Sequence, residues 1–234
     1  MDIPVLFEDE HLIAVEKPRD IHVHPTKMSR RETSLQDLLE ERMGIPLFPA
    51  HRLDRPVGGV LVIAKTRDAA GLLGTALRNR DGFDKRYLAV VRGWMEGAGV
   101  FDRPMRQAPG KPERPALTRW RALARGEADW SDGIFSTSRY SLVECVPETG
   151  RYHQIRRHLA TGDHPILGDI PHGDNPRNRL WKEHTGLPGL MLRAQRLAFL
   201  HPVSGERIAL TASPDPRFLE ACGLFGWEDH LVVD

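Results

Sequence analysis

The chain has 234 residues, of which 40% are hydrophobic and 28% charged, and its 33 Lys and Arg nearly cancel 32 Asp and Glu to leave a net charge of +1. This is the composition of an ordinary soluble globular protein with ample chain for a core, and the net charge argues neither for nor against a nucleic-acid partner. No apolar run approaches bilayer length and the start, MDIPVLFEDE, is no secretory signal, so a cytoplasmic protein is expected.

In chain order, Val5–Phe7 and Leu12–Val15 read as two short strands joined at Glu8-Asp9-Glu10, and Lys17-Pro18-Arg19-Asp20 breaks the pattern. Thr33 with Gln36 resembles a capping box ahead of Leu35, Leu38 and Leu39, with Gly44 as the stop. A second helix begins near Thr66, carries Leu72, Leu73, Ala76 and Leu77, and ends before Asp81-Gly82. Tyr87–Val91 reads as a buried strand. The arginine-rich stretch Phe101–Ala116, broken by four prolines and a glycine, reads as a long mobile loop. Arg139–Val146 is another strand, ended by Pro147–Gly150, and a helix follows from about Tyr152 to Thr161, closed by Gly162. Ser204-Gly205 reads as the turn of a hairpin between Ala198–Leu200 and Arg207–Thr211. Strands outnumber helices and do not alternate with them. That predicts an α+β fold, one domain on a mixed, largely antiparallel sheet with flanking helices.

Cys145 and Cys222, one in a predicted strand and one in a predicted helix, read as small buried apolar groups rather than a disulfide or zinc site. Arg103, Arg106, Lys111, Arg114, Arg119, Arg121 and Arg125 crowd one span, and Arg151, Arg156 and Arg157 the next. The acids that balance them cluster elsewhere in the sequence, as in Glu8-Asp9-Glu10 and Glu228-Asp229, so one basic face on a neutral protein is expected beside the plainer reading of a solvated mixed surface.

Two constellations carry chemistry. HRLDRPVGG (51–59) sets one carboxylate, Asp54, among His51, Arg52 and Arg55 where a loop meets an apolar strand. A partly buried carboxylate stays ionised only beside an opposite charge, and Arg52, Arg55 and the distant Arg156 are candidates; a structural ion pair at a turn would look the same. The second is GRYHQIRRHLATGDHPILGD (150–169). His153, His158, His164, Asp169 and His172 invite a metal, but His153 and His158 are five apart and arginines thread the cluster, so no metal is expected. Neither a P-loop, nor GxGxxG, nor a nucleophile elbow is present. By elimination the chemistry is cofactor-free, with Asp54 as its strongest candidate.

In order, VLFEDEHLIAVEKPRDIHVHP, HRLDRPVGGVLVIAK, KRYLAVVRGW and GRYHQIRRHLATGDHPILGD, followed by MLRAQRLAFLHPVSGERI and LFGW, resemble the RluA-type pseudouridine synthases, and within them a tRNA-modifying branch. The likeness runs over nearly the whole chain. It implies the pseudouridine synthase fold, a single catalytic domain over 1–234 with a central RNA-binding cleft and no S4-like amino-terminal domain. It implies an isomerase for a uridine in tRNA, expected to be uridine 65, acting as a monomer without cofactor or metal. Asp54 would be the nucleophile that detaches uracil, at the base or at the anomeric carbon. Tyr87 would stack on the uracil and assist the proton step, and Arg156 would pair with Asp54. Ile155 would form an apolar wall, and Arg52 would fill the gap left by the everted uridine; His51 and Arg151 complete the substrate-binding set. Two departures stand out. Val57-Gly58 replaces a common Thr-Ser, which bears on loop rigidity, and His172 replaces a common tyrosine. The alternatives weighed are a ribosomal-RNA uridine, an RNA-binding protein without turnover, and a metal-dependent hydrolase.

Overall fold

The computed structural model describes residues 2–25, 32–79, 82–107, 110–213 and 215–231. In chain order the elements are β1(Val5–Glu8), β2(Leu12–Lys17), α1(Leu35–Met43), β3(Gly58–Ala64), α2(Arg67–Asn79) and β4(Asp84–Arg92). Next come β5(Ala98–Asp102), β6(Met105–Arg106), β7(Glu113–Arg114), β8(Leu117–Ala128) and β9(Ser138–Pro147). The chain continues through α3(Gln154–Thr161), α4(Asn175–Thr185), β10(Leu192–Leu200), β11(Arg207–Thr211) and α5(Pro216–Gly223) to a 3-10 turn at Glu228–Leu231. These group into two compact units, Met1–Lys85 with Arg193–Ser213 and Arg86–Leu192 with Pro214–Asp234.

In the first unit β2 pairs antiparallel with β1 and with β3, and β10 pairs parallel with β3 and antiparallel with β11. All seven residues of β3 are buried, as a continuous apolar run without a polar face requires. Leu12, Ala14, Val60 and Val62 pack with Ala69 and Leu73 of α2 and with Leu197 and Phe199 of β10. Each of these valine, leucine and phenylalanine side chains, fully buried, contributes about 1.5–3 kcal/mol before entropy is counted. Gly59 sits at φ +121, and a Cβ there would fall 2.0 Å from the Ala194 carbonyl oxygen, so only glycine lets β3 approach β10.

Helix α1 starts one residue later than predicted. Ser34 caps it, accepting from Asp37 N at 3.3 Å while Asp37 Oδ2 accepts from Ser34 N at 2.8 Å. Gln36, the predicted partner of Thr33, donates instead to Glu40 Oε1 and the Leu47 carbonyl. Gly44 ends the helix in the left-handed region at φ 69, as expected. The predicted stop of α2 at Asp81 lies outside the described residues.

In the second unit β9 pairs antiparallel with β4 and β8, and β8 with β5. Within each unit the strand pairs are antiparallel except β3 with β10, which is parallel, and the mixed, largely antiparallel α+β fold stands as read from the sequence. Cys145 and Cys222 are buried free thiols. Burial pushes both thiols up, Cys222 to about 12, so neither serves as a thiolate. No helix of the described residues is long and apolar enough to cross a membrane.

Candidate active site

Asp54 lies partly buried on the loop that runs from His51 into β3. Val57 N donates to the Asp54 carbonyl at 3.0 Å, closing a turn over Arg55 and Pro56. The segment Lys17–Asp20 then holds the carbonyls of that turn. Arg55 O accepts from Asp20 N at 2.9 Å and from Lys17 Nζ at 3.1 Å, Pro56 O from Arg19 Nη1 at 3.4 Å, and Val57 O from Lys17 Nζ at 2.8 Å. Lys17 also donates to Pro18 O at 2.8 Å and is 1% exposed.

An ammonium carries three N–H groups, and three carbonyls receive them; a neutral amine could serve only two of the three. Burial pushes Lys17 down to about 7; Asp20 opposes that fall, Arg19 adds to it, and Asp54 opposes it again. What the sequence offers as a mere break is therefore the frame of the aspartate's turn. The available signal was a lysine two residues beyond a predicted strand, Leu12–Val15, that has no polar face.

On the same loop Arg52 is exposed and Leu53 buried, so side chains alternate outward and inward up to Asp54. His51 Nε2 accepts from Val62 N at 3.3 Å. Burial, and then the Lys85 charge, push His51 down to about 3, so its ring is neutral at ordinary pH and ties the loop to β3. Burial, followed by Arg52 and His22, lowers His24 as well.

The other predicted site residues belong to the second unit. Tyr87 is partly buried on β4, opposite Cys145 of β9. Ile155 is buried on α3. Arg156, beside it, is held by Asp169: Nε donates to Oδ2 at 2.7 Å and Nη2 to Oδ1 at 2.8 Å, with the two side chains 5% and 1% exposed. A buried fork-to-fork pair of this kind fixes the guanidinium plane while engaging one of its edges. In the sequence Asp169 is legible only as a metal candidate; the fold makes it the partner of Arg156.

The remaining metal candidates are engaged in the same way. His153 Nδ1 meets His172 Nε2 at 2.8 Å, His158 Nδ1 meets Thr118 Oγ1 at 2.8 Å, and His164 Nδ1 meets the Arg92 carbonyl at 3.0 Å. Among the described residues no three His, Cys, Asp or Glu side chains gather as ligands would.

The arginine-rich stretch, read as a loop, is instead a β-hairpin arm built by β6 and β7. Its base is closed by Arg103 N donating to Ala116 O at 3.2 Å. The segment around α3 grips it at three carbonyls and at a fourth where β8 begins. Arg151 Nε donates to Pro115 O at 3.0 Å, Gln154 Nε2 to Leu117 O at 2.9 Å and Arg157 Nη1 to Arg106 O at 3.0 Å, and His158 Nε2 meets Arg103 O at 3.2 Å.

Nor do the balancing acids lie elsewhere, as the sequence suggested. Arg119 meets Glu148 at 2.6 Å, Arg121 meets Glu144 at 3.2 Å, Arg106 meets Glu113 at 3.2 Å and Arg125 meets Glu96 at 3.5 Å. Strand pairing brings these charges together. Glu144 lies directly opposite Arg121 in the β8–β9 ladder.

Residues 11–161 match the family described as RNA pseudouridylate synthase. The chain is 37% identical over 243 residues to tRNA pseudouridine synthase C of Vibrio cholerae serotype O1, with 99% of each chain covered. It is 38% identical to the protein of the same name from Pasteurella multocida, covering 99% of this chain and 100% of that one. Among solved structures it is similar to Human RNA Pseudouridylate Synthase Domain Containing 4, with TM-score 0.69, 26% identity, and 94% and 92% of the two chains covered. Human RNA Pseudouridylate Synthase Domain Containing 1 shares the fold at TM-score 0.70 and 24% identity, over 92% and 84%.

Proposed function

Because the chain belongs to the RNA pseudouridylate synthase family, we propose that it converts one uridine of a tRNA to pseudouridine, with uridine 65 at the base of the T-arm as the expected target. The observation that carries the tRNA reading is the end-to-end likeness to relatives named for that activity. The reaction is an isomerisation. The bond from N1 to C1′ breaks, the uracil turns, and a bond from C5 to C1′ forms; the proton lost at C5 is balanced by one gained at N1. Nothing is added or oxidised, so the reaction needs no cofactor.

Asp54 is the nucleophile in this reading, attacking the base or C1′. Its support is the turn on which it sits, whose carbonyls accept hydrogen bonds from Lys17, Arg19 and Asp20. We assign Arg156 the task of keeping that nucleophile ionised, its plane being set by Asp169. Tyr87 stacks on the uracil and assists the proton step, and Ile155 supplies an apolar wall. A uridine inside folded RNA reaches a partly buried carboxylate only if it is everted, at a cost of a few kcal/mol. Exposed Arg52 is suited to fill the vacated stack, since a guanidinium can lie on bases and meet phosphate at once. Arg151 serves a backbone phosphate. His51, whose ring accepts from Val62 N, anchors the loop and stays in the proposed substrate-binding set. The protein is read as a cytoplasmic monomer.

The test uses unmodified tRNA transcripts, with pseudouridine mapped by carbodiimide chemistry. Wild type is expected to modify one uridine, and Asp54→Asn to bind the transcript while forming no product. Wild-type turnover by Asp54→Asn would refute the mechanism. Modification of ribosomal RNA but not tRNA would move the substrate class.

A further inference from the structure

One aromatic ring in the second unit is built outward. Tyr152 is 50% exposed, although Gln154, Ile155 and Arg156 just beyond it are buried. Its ring lies on the His153 imidazole, with centroids 3.7 Å apart and planes 20° apart. His153 itself holds φ 52 and ψ 35, a left-handed conformation that costs a non-glycine residue about 1–2 kcal/mol. That strain is carried by the residue that makes the stack.

The imidazole is fixed from its other side. His153 Nδ1 meets His172 Nε2 at 2.8 Å, with the rings at 83°. His172 N donates to Asp169 Oδ1 at 3.1 Å, and the same carboxylate holds Arg156. A run of contacts thus leads from the exposed phenol to the buried guanidinium. Around it, Arg157 Nη1 approaches the Tyr152 carbonyl at 3.5 Å, and on the turn between Asp169 and His172 the Ile170 side chain is 73% exposed.

We infer that Tyr152, backed by His153, is a stacking platform for a second, unpaired nucleobase of the RNA, separate from the uridine that is isomerised. The inference rests on the RNA reading above. A phenol with one face covered and the ring still half exposed offers a flat apolar surface at little entropic cost, and base stacking on such a ring is worth about 1–3 kcal/mol whatever the base. Arg157 supplies positive charge for the adjoining phosphate.

Binding of an unmodified tRNA transcript, followed by fluorescence anisotropy across a salt series, tests this. Tyr152→Leu keeps apolar bulk without a planar ring and is expected to weaken binding about 5- to 150-fold. The salt slope should stay unchanged, because no charge is removed. Tyr152→Phe, which keeps the ring, is expected to restore most of the affinity. Wild-type affinity in Tyr152→Leu, or an equal loss in Tyr152→Phe, would overturn the platform while leaving the enzyme reading intact. Wild type that neither binds nor modifies the transcript would overturn the enzyme reading, and the platform with it. A transcript carrying 5-bromouridine gives a second measure on the unaltered protein. A photo-cross-link at Tyr152 is expected, and cross-links confined to other residues would count against the platform.

Discussion

His51 shows how one side chain's charge state can serve a loop. Its ring is useful to Val62 N only as a neutral acceptor, and burial keeps it so down to a pH of about 3, against an ordinary value of 6.5. As pH falls below about 6.5 the unfolded chain takes up this proton and the native chain does not. Stability contributed by His51 is therefore full above that point and is lost on the way to about 3, by at most about 1.4 kcal/mol per pH unit. His51→Gln keeps an acceptor and removes the titration. Urea unfolding at pH 7 and at pH 4.5 should show wild type losing more stability than the variant, and equal losses would mean that His51 titrates as it does in water. At this scale Asp54 was legible because an acid among basic residues at a loop–strand junction is conspicuous. Lys17 and Asp169 were not, since their partners lie 38 and 40 residues away in one case and 13 in the other.

Among the elements, α3 does two things that its sequence announces only once. Its apolar spacing at Ile155 and Leu159 predicts a helix, but the polar Gln154, Arg156 and His158 are equally buried. Gln154 Oε1 accepts from Thr149 Oγ1 at 2.6 Å and from Arg151 N at 3.0 Å, while Nε2 donates to Leu117 O and Thr118 Oγ1. Gln154→Ala would strand several of these groups at about 1–3 kcal/mol each, short of additive because they form one network. A net loss of roughly 2–4 kcal/mol in chemical denaturation is expected, together with faster hydrogen exchange at Arg103 and Leu117. Unchanged exchange there would show that the arm does not depend on this grip. Strand β8 and helix α4 escaped the sequence reading for related reasons. In β8 the arginines mask any alternation, and α4 buries only Trp181 and so shows no apolar stripe.

For the whole molecule, the ion pairs decide how it should meet a polyanion. Arg106, Arg119, Arg121 and Arg125 each face a glutamate and cannot meet phosphate without breaking a pair, which leaves Arg52, Arg151 and Arg157 as the cations proposed here for RNA. Each phosphate neutralised adds a slope of about 0.7–0.9 in log affinity against log salt. A slope below about 5 is therefore expected for tRNA, and one near 10 would mean that these pairs open on binding.

By itself the sequence determined the α+β class and the family. Continuous apolar runs demand buried strands, glycines such as Gly44 favour helix ends, and four motifs in order point to the family. Only the tertiary structure decided which carboxylate holds Arg156, which lysine frames the turn of Asp54, and that a proline-broken stretch becomes a gripped arm. Those choices belong to groups distant along the chain, and they are made by the cost of leaving a buried charge or carbonyl without a partner, which no local pattern records.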